Sequence, residues 1–200
     1  MRYWLDTEFI DDGSTIDLIS IGIVSEDGRE LYLQSVEFNP KKADGWMKES
    51  VFPHLTLCPS HYQTPFLTSK SHYDDLIIDW AYHNATGGQC RTGGIDPLCL
   101  WRTRKQIMYE VADFLQPDGE HTPFELIGWC AGYDFVVLCQ LFGTMMDLPQ
   151  GYPHYIRDLQ HVLDDRDIPD DWLPDQENGL HNALEDAKHI KRLWEDVTRR

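Results

Sequence analysis

The first forty residues alternate apolar and polar positions in three short runs, each closed by turn chemistry. Residues 2–9 (Arg-Tyr-Trp-Leu-Asp-Thr-Glu-Phe) read as a strand that enters a turn at Asp11-Asp12-Gly13-Ser14. Residues 16–24 are a β-branched run and predict a second strand, and the turn at Glu26-Asp27-Gly28-Arg29 leads into a third over residues 30–38. Three antiparallel strands are therefore expected to open the fold. From about residue 40 to 100 the pattern dissolves under prolines at 40, 53, 59, 65 and 97 and the pairs Gly87-Gly88 and Gly93-Gly94. Short helical turns are predicted around 43–51 and 72–83. Loops this long are uncommon in compact domains, so residues 58–96 are expected to be an insertion with its own small elements, a lid or an oligomer contact.

Periodicity returns at residues 101–116, where Ile107, Val111, Phe114 and Leu115 have helical spacing. Residues 124–129 predict a buried strand, and a helix carrying Phe135, Leu138 and Phe142 is expected to begin at or just before Asp134. A short helix over 156–163 and a final one over about 181–197 complete the series. Strands first, then helices interleaved with strands, predict an α/β fold with a mixed sheet flanked by helices. At 200 residues and 42% hydrophobic content the expectation is one domain over residues 1–200.

Composition narrows the field. No run of 18 apolar residues occurs, and acidic residues stand near the N-terminus where a signal peptide would be apolar, so no membrane association and a cytoplasmic location are expected. The five cysteines (58, 90, 99, 130 and 139) include no C-x-x-C, which predicts free thiols in a reducing compartment. Cys58, His61, His72, His83, Cys90 and Cys99 could in principle make a structural zinc site in the middle of the chain, but their spacings match no zinc pattern. A net charge of -17 argues against broad binding to a duplex and predicts weak, metal-dependent affinity for nucleic acid.

The chemistry concentrates in three places. Asp6 and Glu8 are two apart on a predicted strand, so their carboxylates leave one face and could reach one metal; a merely polar sheet face is the alternative. Asp134 follows Gly132-Tyr133 at a predicted helix start, where a plain N-cap would also suit an aspartate. His181 and Asp186, five apart on the last predicted helix, would let the carboxylate face the metals while the histidine stands off as a proton acceptor, unless it is a solvated surface residue. Carboxylates gathered at one point repel one another, and a pair of hard divalent cations is the usual remedy.

Taken together, Asp-Thr-Glu-Phe at 6–9, Ile-Ser-Ile-Gly-Ile-Val at 19–24, Gly-Tyr-Asp-Phe at 132–135 and His-Asn-Ala-Leu-Glu-Asp at 181–186 resemble the three motifs of the DEDD superfamily of 3'-5' exonucleases. The histidine before the last aspartate marks the DEDDh branch, and the start of the chain with Trp101-Arg102-Thr103-Arg104 is similar to small ribonuclease T-like exoribonucleases of mycobacterial and phage type. The resemblance covers residues 1–40 and 98–197. It implies a ribonuclease H-like fold, two Mg2+ or Mn2+ ions held by Asp6, Glu8, Asp134 and Asp186, and His181 as general base. It implies single-stranded RNA 3' ends as substrate, a nucleoside monophosphate as product, and a homodimer. Thr7, Phe9 and Ile10 would meet the terminal nucleotide. Arg102, Arg104, Lys105 and Arg157 would serve as phosphate partners, with Phe9, Trp129 and Tyr133 as stacking surfaces; a solvated helix face and a plain core position are the respective alternatives. The chain departs from the common pattern at Phe9-Ile10-Asp11, where many members carry a threonine and a glycine. A DNA 3'-5' exonuclease and a non-catalytic nucleic-acid-binding module are the rival readings.

Overall fold

The computed structural model describes residues 1–60, 71–91, 93–94, 96–119 and 121–199. Its strands are β1 (Arg2–Asp11), β2 (Ile16–Ser25), β3 (Glu30–Ser35), β4 (Trp101–Arg102), β5 (Glu125–Gly128) and β6 (Arg157–Asp158). They form one sheet in the order β4-β3-β2-β1-β5-β6. β1, β2 and β3 pair antiparallel, whereas β4, β5 and β6 each join parallel to a neighbour. The helices are α1 (Gly45–Ser50), α2 (His72–Thr86), α3 (Arg104–Leu115), α4 (Gly132–Phe142), α5 (Leu159–Asp165) and α6 (Ala183–Arg199). The expected α/β architecture is present: a mixed, ribonuclease H-like sheet flanked by helices.

Strand alternation in β1 divides the core between the two faces. Tyr3 and Leu5 enter a cluster with Ile107 and Val111 of α3 and Val137, Leu138 and Leu141 of α4. Trp4 points the other way, packing with Leu159 and Leu163 of α5 and Ile190, Leu193 and Trp194 of α6. Asp6 and Glu8 continue the Trp4 phase, and a register shift between Glu8 and Phe9 ends the regular alternation. Bulges of this kind re-aim side chains and concentrate near functional sites.

Gly22, opposite Asp6 in the antiparallel register, governs how closely α6 approaches. A Cβ at Gly22 would fall on the backbone of Ala183 and Leu184, inside van der Waals distance. Glycine therefore lets the start of α6 lie directly on the strand.

Two segments predicted as helix are strands instead, through short-range pairing at the sheet edges. Trp101 and Arg102, predicted as helix, pair with Gln34 and Ser35. Arg157 and Asp158, also predicted as helix, pair with Ile127 and Gly128. The third strand stops at Ser35 instead of 38, and Val36 and Phe38 turn into a further cluster with Ile10, Ile19, Phe52 and Leu76. In the irregular region, the predicted helical turn at 72–83 is a 15-residue helix, closed at Gly87 and Gly88 in left-handed conformations whose N–H groups donate to Asn84 and His83 carbonyls.

Gly22→Ala is expected to lower stability in urea by about 1–3 kcal/mol, the usual cost of forcing carbon into a packed contact. Gly45→Ala, where a Cβ meets nothing within 4 Å, should leave the midpoint undiminished.

Candidate active site

Four acidic side chains meet beside the centre of the sheet. Asp6 and Glu8 come from β1, Asp134 from the first turn of α4, and Asp186 from the first turn of α6. One ligand atom each from Glu8, His181 and Asp186 lie within 4.8 Å of one another. Asp134 is buried and tied to the strand: Thr7 donates to its Oδ1 from the backbone N–H at 2.8 Å and from the hydroxyl at 2.6 Å. It is therefore not the N-cap of α4, a position held by Ala131. The first strand and the fourth helix are thus fastened together through a site residue.

The electrostatics are those of carboxyls gathered out of water. Burial raises the Asp6 pKa well above the ordinary carboxylate value, and Asp134, Glu8 and Asp186 push it further. Burial, then Asp186 and Asp134, push Glu8 up to about 8. Burial also raises Asp134, against the Thr7 hydrogen bonds, and Asp186, against a hydrogen bond from Gln176 and the nearby His181 and His54. Desolvation acts in this direction at all four, and like charge adds to it at Asp6, Glu8 and Asp134. A donor set of carboxylate oxygens that resist ionising together fits hard divalent cations.

His181 does not lie on the last helix as the spacing suggested. α6 begins at Ala183, and His181 precedes it in a left-handed conformation, φ 65°. Asn182 is the residue that starts the helix: its Oδ1 accepts from the Leu184 and Glu185 N–H groups at 3.1 and 3.2 Å. The Trp46 ring meets His181 edge-on, centroids 4.9 Å apart, and Asn182 Nδ2 donates to the His54 carbonyl at 3.3 Å. The wall beside the histidine is thus built from residues 45–54.

Several further positions act on the site without a sequence signal. Gln176 Nε2 donates to Asp186 Oδ1 at 2.6 Å, and it comes from a loop with no periodicity to read. Asp158 accepts from the Cys130 and Ala131 N–H groups at 2.9 and 3.0 Å. It holds the turn, with Cys130 at φ 50°, that delivers Asp134.

The expected substrate contacts divide. Phe9 and Tyr133 stack, centroids 5.8 Å apart, and Tyr133 is 52% exposed. Thr7 is buried and spends its hydroxyl on Asp134, while the Ile10 side chain is buried in the core. Trp129 is part-buried against the α5–α6 cluster. Arg102 is buried, bound to Glu110 and to the Cys99 and Trp101 carbonyls, so it is not available to a phosphate. Arg104 pairs with Asp17 at 3.7 Å and Arg157 with Glu125 at 2.9 Å. Lys105 is exposed, 6.0 Å from the centroid of the Tyr109 ring.

Residues 1–198 match the family described as the 3'-5' exoribonuclease Rv2179c-like domain. The chain is also 36% identical over 198 residues to the 3'-5' exoribonuclease Rv2179c of Mycobacterium tuberculosis strain H37Rv, covering 99% of this chain and 94% of that protein. The same figures hold for the 3'-5' exoribonuclease MT2234.1 of strain CDC 1551.

A carboxyl whose pKa is raised on folding holds its proton more tightly in the folded chain, so its contribution to stability is full below the ordinary carboxylate range and lost as pH rises. For Glu8 the loss runs from about pH 4.5 up through about 8. Metal-free protein is therefore expected to lose thermal stability across that window, and Glu8→Gln to lose less. Manganese binding should release protons at neutral pH, read as a dependence of the calorimetric heat on buffer ionisation enthalpy. Identical pH profiles for the two proteins would contradict this account.

Proposed function

The chain belongs to the Rv2179c-like 3'-5' exoribonuclease domain family and is an exoribonuclease; on that premise we propose that it is a DEDDh-type enzyme removing nucleoside 5'-monophosphates from single-stranded RNA 3' ends with two divalent cations. The observation that carries this reading is the convergence of Asp6, Glu8, Asp134 and Asp186, with His181 beside Glu8 and Asp186. The donor set is all carboxylate, so magnesium or manganese suits it. Asp6, Glu8 and Asp186 would hold one ion, and Asp6 and Asp134 the other. Such ions, when bound, supply a nucleophile at neutral pH and charge stabilisation at the leaving oxygen.

The chain's own residues do the rest. His181, set against Trp46, takes the proton from the attacking water. The water oxygen bonds to phosphorus, and the bond to the 3' oxygen of the shortened strand breaks. That oxygen gains a proton, and the terminal nucleotide leaves with its 5' phosphate. Thr7 positions Asp134, and Gln176 positions Asp186. The exposed face of Tyr133, backed by Phe9, offers a stacking surface that tolerates any base.

Three of the four basic residues first expected at phosphates give little support to tight binding: Arg102, Arg104 and Arg157 are paired with acids. With a net charge of -17, the affinity for RNA rests on the metals and a few contacts. Binding of single-stranded RNA to an inactive variant in manganese should therefore weaken only gently with salt, with a log–log slope of about -1 to -2.

The decisive assay is a time course on 5'-labelled single-stranded RNA, with matched DNA alongside, in magnesium, manganese or EDTA. A ladder shortening from the 3' end, abolished by EDTA and by Asp6→Asn, is expected. His181→Ala should slow turnover by about 10²–10⁴ with the fold retained by circular dichroism. Full activity of Asp6→Asn in magnesium would end the proposal, and faster loss of DNA than RNA would move the substrate to DNA.

A further inference from the structure

Away from the carboxylates, four buried side chains converge from parts of the chain that the sequence left apart. Cys58, His83, Cys90 and Cys99 each place one ligand atom within 4.8 Å of the others, and all four are essentially inaccessible to solvent. Cys58 precedes α2, His83 lies in the last turn of that helix, Cys90 follows it, and Cys99 leads into β4. Their spacings match no zinc pattern because folding of the irregular region, not a compact motif, brings them together. Of the other two residues considered from sequence, His72 is exposed at the start of α2 and His61 lies outside the described residues.

Two of the ligand pairs are spaced as in a four-coordinate centre. The Cys58 and Cys90 sulfurs are 3.6 Å apart, and His83 Nε2 is 3.5 Å from the Cys99 sulfur. Zinc–sulfur bonds of about 2.3 Å and zinc–nitrogen bonds of about 2.0 Å in a tetrahedron require ligand separations of about 3.5–3.8 Å. The outer shell is arranged to match. His83 Nδ1 lies 2.8 Å from the Asp79 carbonyl and donates to it, which leaves the Nε2 lone pair turned towards the cysteines. Asp79 Oδ2 accepts from the Cys58 N–H at 2.7 Å and from Trp101 Nε1 at 2.9 Å. The Asp96 N–H points at the Cys90 sulfur, 3.3 Å away, and the Ser60 hydroxyl lies 3.1 Å from that of Cys58. Left-handed Gly93 and Gly94 close the turn that begins at Cys90.

We propose that Cys58, His83, Cys90 and Cys99 form a structural zinc site. Three thiolates and an imidazole select zinc over the hard cations suited to the carboxylate cluster. With four protein ligands the coordination is complete, so the role is structural. The site clamps α2 to the sheet edge: His83 stacks on Trp101, which pairs with Gln34 of β3. The same cluster carries Met47, Val51 and Phe52, next to the wall from which Trp46 meets His181 and the His54 carbonyl accepts from Asn182. Zinc binding is in this way part of the folding free energy of the middle of the chain.

The test is metal analysis of the full chain purified without chelator, by inductively coupled plasma mass spectrometry. One zinc per chain is expected, retained in Asp6→Asn and in Cys139→Ser, and released stoichiometrically when a mercurial reagent titrates the thiols. Cys90→Ser and Cys99→Ser should each lose it. Because those variants could also fail to fold, cobalt-substituted wild-type protein gives an independent reading: thiolate-to-cobalt charge-transfer bands in the near ultraviolet and the strong visible bands of a tetrahedral site. A folded chain that stays zinc-free after refolding in zinc-supplemented buffer overturns the proposal. So does a cobalt spectrum without thiolate bands, or a mass spectrum that finds Cys58 bonded to Cys90.

Discussion

Burial opposes ionisation at Asp6, Glu8, Asp134 and Asp186, and at Asp6 and Glu8 the other acids of the group oppose it further. Charges of one sign gather in a protein only when the surrounding structure holds them and a counter-charge rewards the arrangement. Here the holding is done by a packed sheet with helices on both faces. β1 carries two of the carboxyls, and the alternation that puts Trp4 into the α5–α6 core is the same alternation that sends Asp6 and Glu8 to the site. The apolar residues beside the acids anchor the strand that presents them.

The other two acids depend on close approach and on hydrogen bonds. α6 can rest on the sheet because β2 has no side chain at Gly22, and Asn182 caps the helix where it touches down. α4 is held by Thr7 from one side and by Asp158, through the Cys130–Ala131 turn, from the other. Buried polar partners of this kind cost little while satisfied and much when one is removed. The consequence is a site whose geometry is set by the residues packed and bonded around it.

The middle of the chain supplies the remaining wall. Residues 45–54 bring Trp46 and His54 to the histidine loop, and they pack into the cluster that also holds α2 and Trp101. A region without regular periodicity needs another source of order, and the convergence of three thiols and an imidazole within it is one that chemistry can supply. Hard oxygen donors at the sheet centre and soft donors beneath its edge would keep two kinds of metal apart by ligand type alone.

Local pattern by itself determined the three opening strands, the helices at α3, α4 and α6, the mixed α/β class, and the acids and histidine of the site. Each of these is written in periodicity or in a short motif, and neither needs distant partners to be legible. Only the tertiary structure decided the two-residue strands β4 and β6, whose pairing outweighs the helical pattern around them. It also moved His181 off the helix, since the cap at Asn182 and the left-handed turn before it depend on where α6 meets the sheet. Arg102 looked like a phosphate ligand as a residue type, and became a buried structural cation once Glu110 and two carbonyls surrounded it. The Cys58–His83–Cys90–Cys99 grouping was offered by the sequence only as ligand residue types, together with His61 and His72: its members are neighbours through the packing of a helix on a sheet edge, and sequence spacing carries no record of that contact.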